Sequence, residues 1–355
     1  MRTQIAAPEN FEAEVVIKAV DVTLEGFLES KKNVAEQSGM GHLLKLFAEF
    51  LADGKRIRPV LTVLGWQAAG GYEDSDSVVR VAAALEMFHA FALIHDDIMD
   101  ESDIRRGRPT LHRALAEEEG PDRSEHFGVS AALLLGDLAF TWSDELLHTA
   151  DLTPRQFRAV LPLVTEMRSE VMFGQYLDLR ATGELTDDVD ATMTVNRYKT
   201  AKYTVERPLH IGAALAGAGP EVMDAYSAYA IPLGEAFQLR DDLLGVYGDV
   251  GDTGKSRLDD LRAGKNTTLV ALALRACDAA RAARLRALIG DPNLEEAGAA
   301  EVRDVFAATG AREAVEHMID DRYRQALQAL DAAPFAAGAT TALKHLARTA
   351  TRRNS

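Results

Sequence analysis

Residues 85–100 read LEMFHAFALIHDDIMD, an apolar helical run that ends in closely spaced aspartates. Residues four apart on an α-helix lie about 40° apart around the axis, so Asp96 and Asp100 share one face. Carboxylates on one face repel one another, and apolar neighbours make their charges harder to solvate. A bound cation removes this conflict. The stretch therefore predicts both a helix and a metal site at its end.

A second pair of aspartates lies in a similar setting. Residues 234–249 read GEAFQLRDDLLGVYGD, so Asp241 and Asp242 lie within another apolar helical run. Oxygen ligands supplied one or two at a time, without Cys or a His pair, suit Mg²⁺ shared with phosphate oxygens. The alternative is a solvated acidic patch on each helix. The flanks are apolar and the pattern occurs twice, so we predict that both clusters bind Mg²⁺.

The composition of the chain favours an all-α protein. Ala, Leu, Glu, Asp and Arg dominate the 355 residues, and aromatic residues make up only 6%. The net charge of −16 argues against a nucleic-acid-binding protein. The same charge repels a diphosphate, so such a ligand would depend on local cations and bound metal. The single Cys277 excludes an intrachain disulfide framework and a zinc cluster.

Helical periodicity covers most of the chain, with breaks at Gly, Pro and polar segments. Loops are predicted at 101–109 and 248–265. Helices are predicted within 10–53 and at 60–69, 77–99, 129–147, 154–178, 190–217, 221–247, 267–288, 298–306, 311–331 and 336–349. Because no low-complexity linker divides the chain, we predict one all-α domain over 1–355, with a motif-bearing core at about 45–270 and C-terminal helices at 271–350.

The amino-terminal residues lack a basic region followed by an apolar core, so no secretory signal is predicted. No uncharged apolar run reaches the length of a membrane span, so no transmembrane segment is predicted either. Both features favour a cytoplasmic protein.

Basic residues accompany the aspartates. Residues 54–59 read GKRIRP, and residues 105–107, directly after the first cluster, read RRG. Arginines placed in this way bind phosphate oxygens with bidentate geometry. Any one of these cations alone would be interpreted as a solvated surface residue. Their placement beside two carboxylate clusters favours a diphosphate site.

These motifs together resemble those of the trans-isoprenyl diphosphate synthases. Five of them occur in the order seen in that family, over about residues 45–270. They are GKRIRP at 54–59, Asp96–Asp100 with Arg105-Arg106-Gly107, GQYLD at 174–178, KTA at 199–201, and Phe237-Gln238 through Asp249. The resemblance implies the isoprenoid synthase fold, a single bundle of roughly ten or more helices around a central active-site cavity. It also implies a homodimer.

The activity implied by the resemblance is the condensation of isopentenyl diphosphate with an allylic diphosphate (dimethylallyl, geranyl or farnesyl). About three Mg²⁺ ions would neutralise the charge that builds on the allylic diphosphate as its C–O bond breaks. The isopentenyl double bond would then attack the allylic cation, with the proton lost to the departing diphosphate.

The resemblance assigns roles to individual residues. The metal ligands would be Asp96, Asp97, Asp100, Asp241 and Asp242. Direct contacts to the allylic diphosphate would come from Arg105, Lys199 and Lys255. Isopentenyl diphosphate would be bound by Lys55, Arg58, His89 and Arg106. The reacting centre would be lined by Thr200, Tyr203 and Gln238.

Helical geometry supports the role of His89. It precedes Asp96 by seven residues, which places it about 20° off the same face and about 10 Å back along the axis. A lone His on an apolar face is ordinarily a core residue, but this placement favours a binding role. For His95 we favour a structural role.

The second cluster departs from the family pattern, because Gly245 stands where many relatives carry a third Asp. We expect this site to rest on Asp241 and Asp242, with support from Asp249 and Lys255, and the first cluster to be the dominant metal site. At the carboxyl end, residues 352–353 would either close over isopentenyl diphosphate or form a basic tail.

Product length should depend on the helix before Asp96. Phe91 lies about 7.5 Å back along the axis and Phe88 and Met87 one turn deeper, whereas small Ala92 leaves room near the metal. In the family, a bulky residue five positions before the first Asp limits elongation. We therefore expect geranylgeranyl diphosphate before farnesyl diphosphate. The alternative is that these side chains are only core.

Two other functions share some of these features. A type I terpene cyclase needs no isopentenyl diphosphate site, yet the residues for one are present here, and the Asn/Ser/Glu metal motif typical of cyclases has no convincing match at 220–260. A non-catalytic subunit that modulates another synthase should have lost metal ligands, and here one position is altered. The sequence favours an active prenyltransferase.

Overall fold

The computed structural model describes residues 11–52, 54–72, 75–118, 124–248 and 256–352. Over these residues the chain is helical apart from one short hairpin, as the composition predicts. The helices are α1 Ala13–Gln37, α2 Gly41–Ala52, α3 Ile57–Ala68, α4 Ser75–Met99, α5 Leu111–Glu118, α6 Ser124–His148, α7 Pro154–Ala181, α8 Val189–Asn196, α9 Arg207–Leu215, α10 Pro220–Tyr247, α11 Asp259–Arg262, α12 Thr268–Ala276, α13 Ala279–Leu288, α14 Glu296–Ala308, α15 Ala311–Ala332 and α16 Ala337–Thr351. A π-helical segment, Arg197–Glu206, joins α8 to α9.

The chain forms two compact units. Unit 1 comprises Met1–Pro162, Pro208–Gly219 and Ala336–Ala339, and unit 2 comprises Leu163–Arg207, Pro220–Phe335 and Thr340–Ser355. The chain first passes from one to the other inside α7, at a proline that lacks the amide donor a helix interior uses. The single domain over residues 1–355 stays a prediction.

Helix α4 forms the centre of unit 1. Every residue from Ser77 to Phe88 is buried except Arg80, since the helix packs against α1, α3, α5 and α6. A helix that is apolar on all sides is stable only when it is covered in this way. The observed range, 75–99, confirms the long helix predicted at 77–99. It also fixes the position of the first carboxylate cluster at the carboxyl end of a core helix.

Helix α10 has the same place in unit 2. It packs against the π-helical segment, α12 and α15, and its Leu239 and Leu243 join a large apolar cluster with Phe306 and Val315. Shorter helices around it begin at polar caps. The Asp188 side chain accepts from the Ala191 amide at 3.0 Å, which satisfies one of the amides left open at a helix start.

The sequence-based predictions missed two short helices, α5 and α11, the latter inside the loop predicted at 248–265. Three of the predicted helices were also wrong in detail. The region predicted as helical within 10–53 is two helices separated at residues 38–40, where Gly39 has φ +74° and ends α1. The predicted helix at 267–288 is broken before Asp278, which caps α13 by accepting from the Arg281 amide. The predicted helix at 190–217 contains the π-helical segment.

The predicted loop at 101–109 contains a small antiparallel hairpin. Strand β1, Ile104–Arg105, pairs with β2, Arg108–Pro109. The two residues between them, Arg106 and Gly107, have φ of 53° and 75°. Positive φ at both positions is the signature of a type I′ turn, which matches the twist of the strands. The hairpin therefore gives Arg105 and Arg106 fixed backbone directions.

By length and composition alone, α4 could cross a membrane, with a mean hydropathy of 1.6 over an 18-residue window. However, 72% of that window is buried inside the protein. Core helices pass the same test, so this is weak evidence for a membrane span.

Candidate functional site

The first carboxylate cluster lies at the carboxyl end of α4, where the helix macrodipole is negative. The Asp100 amide donates to the Asp96 carbonyl at 2.8 Å, so helical geometry continues through Asp100 and the two side chains share a face. Carboxylates at this end of a 25-residue helix repel both each other and the helix carbonyls. A hard cation relieves that repulsion, so the donor set suits Mg²⁺.

Arg105 joins the cluster from strand β1. Its Nε lies 2.8 and 2.7 Å from the two carboxylate oxygens of Asp97, and its Nη2 lies 3.4 Å from Oδ2 of Asp96. Burial alone would lower the pKa of Arg105, but its hydrogen bond to Asp97 and the charges of Asp97, Asp96 and Asp100 raise it. The Asp97 side chain is only 2% exposed. Asp97 is therefore the main counter-charge of Arg105, with Asp96 as a more distant one.

The basic segment 54–59 is built around one inward-pointing arginine. Arg56 is 4% exposed, and its guanidinium donates to Asp21 at 2.8 Å, to Glu86 at 2.9 Å and to the Leu51 carbonyl at 2.5 Å. A Cβ atom on Gly54 would lie 2.4 Å from this guanidinium. Arg56 is thus part of the core of unit 1.

The two neighbours of Arg56 that the sequence assigns to isopentenyl diphosphate have different settings. Lys55 is exposed, and Arg58 is half-buried in the first turn of α3. The ion pairs of Arg56 with α1 and α4 hold the backbone between Lys55 and Arg58. The side chains of these two residues therefore project from a fixed segment.

His89 lies within the field of this basic segment. Its pKa is lowered well below the usual value, first by burial and then by the charges of Arg58, Arg105, Arg106 and Arg56. The imidazole is therefore neutral at physiological pH. Arg58 and Arg106, two of the residues predicted to bind isopentenyl diphosphate, thus lie with His89 in one positively charged neighbourhood, in which a diphosphate would restore the charge balance.

In unit 2, the predicted reacting-centre residues lie on or beside the π-helical segment. Lys199 Nζ lies 2.6 Å from Oδ2 of Asp178, which is the last residue of the GQYLD motif. The Thr200 hydroxyl donates to Oε1 of Gln238 at 2.6 Å, and Nε2 of Gln238 donates to Asp242 at 2.8 Å. A hydrogen-bonded chain thus connects the segment to the second carboxylate cluster. π-helical turns are frequent at functional sites.

Tyr203, the other predicted member of the reacting centre, is 3% exposed in the same segment. Its ring packs within the core of unit 2. The structure therefore places it close along the chain to Lys199 and Thr200 but gives its ring a mostly buried position.

Two glycines allow neighbouring helices to approach the π-helical segment closely. A Cβ atom on Gly174 of α7 would lie 2.4 Å from the Lys199 amide nitrogen, and one on Gly234 of α10 would lie 2.4 Å from the Cα of Ala201. Both clashes are with backbone, which cannot move aside as a side chain does. The position of Lys199 and Thr200 therefore depends on the absence of side chains at two sites in the neighbouring helices.

Gly234→Ala is expected to destabilise the protein by about 1–3 kcal/mol, because the added methyl overpacks against the backbone at Ala201. It should also lower kcat by shifting Thr200. Urea unfolding and steady-state kinetics measure the two effects. Gly26→Ala is the control, since nothing lies within 4 Å of that position. Equal stability of both variants would show that α10 has room to relax.

The second carboxylate cluster lies on α10, where Asp241 and Asp242 are both half-buried. Burial raises the pKa of Asp242 to about 7, and the charges of Asp260 and Asp241 act in the same direction against the hydrogen bond from Gln238 and the charge of Lys265. Lys255 and Asp249, which the sequence assigns to this site, lie outside the described residues. Among the described residues, no three His, Cys, Asp or Glu side chains are grouped to hold a metal.

The raised pKa of Asp242 predicts a pH dependence in the metal-free protein. In the unfolded chain an aspartate ionises near pH 4, whereas in the folded protein Asp242 keeps its proton until about pH 7. The folded state therefore binds the proton more tightly, and stability is lost as pH rises through this window. The Tm of the wild type relative to Asp242→Asn should fall between pH 4 and 7 and stay constant above it. A constant difference from pH 4 upward would contradict the prediction.

The predicted chain-length residues form an aromatic cluster in unit 1. The ring of Phe91 lies 5.2 Å from Phe88, 5.2 Å from Phe140 and 4.5 Å from His95, measured between ring centroids. Phe88 and Met87 are fully buried, and Phe91 and Ala92 are half-buried. Phe91 is thus the more accessible part of a layered apolar wall.

Three residues of the site were not identified from the sequence. Phe140 on α6 joins the aromatic wall, Glu86 pairs with the basic segment, and Asp260 acts on the second cluster. Phe140 follows the helical spacing of the apolar residues of α6. A comparison of the helical wheels of α4 and α6 could have identified it. Contacts of Glu86 and Asp260 depend on tertiary structure.

Two residues that the sequence left open have local partners. The Nε2 atom of His95 lies 3.3 Å from the Leu133 carbonyl, and its ring fills the space beside Gly136, which favours a structural role. Arg352 is exposed, with its guanidinium 5.7 Å from the ring centroid of Tyr323. Residue 353 lies outside the described part.

Comparison with known proteins gives consistent results. The polyprenyl synthetase family model matches residues 41–307. Geranylfarnesyl diphosphate synthase of Aeropyrum pernix is 36% identical over 239 residues, which cover 66% of this chain and 69% of that protein. A (2E,6E)-farnesyl diphosphate synthase of Mycobacterium bovis is 36% identical over 214 residues, covering 60% of this chain and 55% of that protein.

Among solved structures, this chain is similar to a geranylgeranyl pyrophosphate synthase from Corynebacterium glutamicum. That crystal structure is complexed with isoprenyl diphosphate and magnesium. The TM-score is 0.91 at 37% sequence identity, and the match covers 97% of this chain and 100% of that one.

Proposed function

The chain belongs to the polyprenyl synthetase family and is a short-chain prenyltransferase, and from this premise we propose that it makes geranylgeranyl diphosphate. The substrates are isopentenyl diphosphate and an allylic diphosphate, and the reaction depends on Mg²⁺. The observation that carries the proposal is the pairing, in unit 1, of a carboxylate cluster with a separate basic neighbourhood around His89.

In unit 1 Mg²⁺ would be held by Asp96 and Asp100, and in unit 2 by Asp241 and Asp242. The metal would supply charge neutralisation at the leaving diphosphate. Asp97 orients Arg105, whose guanidinium remains beside the cluster to contact the same diphosphate. Lys199 is held by Asp178 at the amino end of the π-helical segment. Its ammonium can leave the Asp178 carboxylate and bind a phosphate oxygen instead.

The basic neighbourhood binds the second substrate. Lys55, Arg58 and Arg106 supply positive charge, and neutral His89 donates a hydrogen bond to a diphosphate oxygen. An anion favours the protonated form of a neighbouring imidazole, so bound isopentenyl diphosphate would raise the pKa of His89. This second basic site disfavours a type I terpene cyclase, which condenses nothing with its allylic substrate.

A prenyl-transfer assay tests the proposal directly. Purified protein is incubated with Mg²⁺, labelled isopentenyl diphosphate and each allylic primer in turn, with an EDTA-treated sample as control. Incorporation of label into geranylgeranyl diphosphate that EDTA abolishes is the expected result. Absence of incorporation with every primer would instead support a non-catalytic modulating subunit.

Phe91→Ala is expected to lengthen the product beyond geranylgeranyl diphosphate, because it removes the accessible ring of the aromatic wall and exposes Phe88 to the growing chain. Chromatography of the dephosphorylated products measures the distribution. The control is Phe157→Ala, which removes a half-buried ring of unit 1 outside this wall. An unchanged distribution in Phe91→Ala would mean that the wall is only core.

Relatives of this chain are named (2E,6E)-farnesyl, geranylfarnesyl and nonaprenyl diphosphate synthases. Farnesyl diphosphate is therefore the alternative product. The half-buried Phe91, with small Ala92 between it and the aspartates, favours the geranylgeranyl length, since the chain can pass the first turn before it meets a ring. A homodimeric state stays a prediction from the resemblance, and a cytoplasmic location stays a prediction from the sequence.

A further inference from the structure

Position 245 in the second carboxylate cluster carries no side chain, and an aspartate from another helix lies against it. A Cβ atom added to Gly245 would lie 2.0 Å from Oδ2 of Asp260 and 3.1 Å from its Cγ. Non-bonded atoms do not approach so closely, so the Asp260 carboxylate occupies the space that a side chain at 245 would take. Helix α11 thus delivers a carboxylate to the place on α10 where the sequence motif lacks one.

This carboxylate lies beside the two aspartates of the cluster. Around the axis of α10, position 245 lies about 40° from Asp241 and about 60° from Asp242, so it falls between them. The Asp260 carboxylate therefore lies against the part of α10 that is between the two aspartates.

The backbone of α11 holds Asp260 in this position. The next residue, Leu261, is 2% exposed in the core of unit 2, and its carbonyl accepts from the Gly290 amide at 2.8 Å. Arg262 donates from Nη2 to the Leu294 carbonyl at 2.8 Å, and the Lys265 amide donates to the Asp260 carbonyl at 3.1 Å. A helix of four residues anchored on both sides cannot turn away from α10 without breaking these contacts.

Lys265 partly neutralises the carboxylate. Its Nζ lies 3.5 Å from Oδ1 of Asp260, and both side chains are 26% exposed. An ion pair this accessible to water contributes at most about 1 kcal/mol. A divalent cation can therefore replace the ammonium as the partner of Asp260, and the displaced Lys265 remains close enough to contact a phosphate oxygen.

We propose that Asp260 replaces the missing third aspartate of the second cluster and joins Asp241 and Asp242 in holding a divalent cation bound to diphosphate. This inference rests on the proposed Mg²⁺-dependent function. The donors are not grouped as a metal site by themselves among the described residues. The cation then binds with its diphosphate, as expected where Mg²⁺ takes only some of its ligands from protein.

Binding of Mn²⁺ in the presence of inorganic pyrophosphate tests the proposal. Mn²⁺ takes the same oxygen ligands as Mg²⁺, and the free ion is quantified by electron paramagnetic resonance. Asp260→Asn is expected to raise the half-saturating Mn²⁺ concentration by about tenfold to a hundredfold. Asp259→Asn is the matched control, because it makes the same charge change on the same helix. Asp259 is exposed, and its side chain accepts from the Ser256 amide. Equal binding by the two variants would overturn the proposal.

Moving the carboxylate back to α10 provides a second test. Gly245→Asp combined with Asp260→Ala restores an acidic residue at 245 and removes the side chain that occupies its space. The double variant is expected to bind Mn²⁺ to within about threefold of the wild type, unlike Asp260→Ala alone. If it binds no better than Asp260→Ala while unfolding at the same Tm, the two positions are not equivalent and the proposal fails.

The outcomes separate this inference from the proposed function. Prenyl transfer that requires Mg²⁺ in the wild type, with Mn²⁺ binding unchanged in Asp260→Asn, would contradict only the role of Asp260. Weakened Mn²⁺ binding in Asp260→Asn, with no product from the wild type and any primer, would support the metal site and contradict prenyl transfer.

Discussion

Asp100→Asn should lower kcat/KM by about a thousandfold, which corresponds to about 4 kcal/mol of transition-state stabilisation. Asp100 lies on the same face as Asp96, at the negative end of α4. Its charge serves the cation, and without it the metal cannot offset the charge that develops on the leaving diphosphate. Steady-state kinetics with saturating Mg²⁺ and varied allylic primer measure the effect.

The same substitution should leave the metal-free protein as stable as the wild type or slightly more stable. Removing a negative charge from the carboxyl end of a helix relieves an unfavourable interaction of about 0.3–1 kcal/mol. Thermal unfolding in EDTA measures this change. A large loss of Tm in Asp100→Asn would show that Asp100 is needed for the fold as well as for any metal.

Asp97→Asn is the comparison that makes the test specific. Asp97 is buried and hydrogen-bonded by Arg105, so neutralising it leaves a half-buried guanidinium without its main counter-charge, and only the longer contact to Asp96 remains. A loss of about 3 kcal/mol or more in the free energy of unfolding is expected. If Asp97→Asn and Asp100→Asn gave the same combination of stability and activity, the division of roles within the motif would be wrong.

Parts of the fold were predictable because they follow from local pattern. The helix at 75–99 is apolar on all sides, which only a buried helix tolerates. The predicted bounds, 77–99, lie within two residues of the observed ones. The break at Gly39 was missed because the apolar pattern continues on both sides of it. A single positive φ ends α1 without interrupting that pattern.

Helical periodicity could not predict the π-helical segment. Its sequence reads as an ordinary continuation of α8, and the close approach of Gly174 and Gly234 to its backbone is a tertiary contact. The hairpin after α4 was interpreted as a loop for a related reason. Two residues per strand give no alternation to detect, although Arg106-Gly107 is compatible with a type I′ turn.

The candidate site was predicted best where its residues are close in sequence. The cluster at Asp96–Asp100 and the segment 54–59 were identified as motifs, and the structure places each on one unit. Asp260 was missed because it compensates for Gly245 from a different helix. Arg56 was grouped with the basic residues of a diphosphate site, and only its left-handed backbone conformation and its three hydrogen-bond partners show that it points inward.

Arg56→Ala should lower the free energy of unfolding by about 3–5 kcal/mol, because it leaves Glu86 buried without a counter-charge and Asp21 without its hydrogen bond. Glu86 is 4% exposed, so water cannot replace the lost guanidinium. Urea unfolding measures the loss. Arg80→Ala is the matched control, since Arg80 is exposed on the same core helix, α4, and makes one hydrogen bond to the Thr149 carbonyl. A change within about 0.5 kcal/mol is expected there.

The functional effect of Arg56→Ala should fall on one substrate. Arg56 holds the backbone between Lys55 and Arg58, so its loss disperses the side chains proposed to bind isopentenyl diphosphate and leaves the carboxylates at the end of α4 in place. KM for isopentenyl diphosphate should therefore rise about tenfold or more, with KM for the allylic primer nearly unchanged.

Combining Arg56→Ala with Glu86→Ala removes the carboxylate that has lost its partner and should recover part of the stability. It should not recover the KM, because the segment remains untethered. Equal changes in both KM values would show that Arg56 supports the fold as a whole and has no specific effect on the isopentenyl diphosphate site.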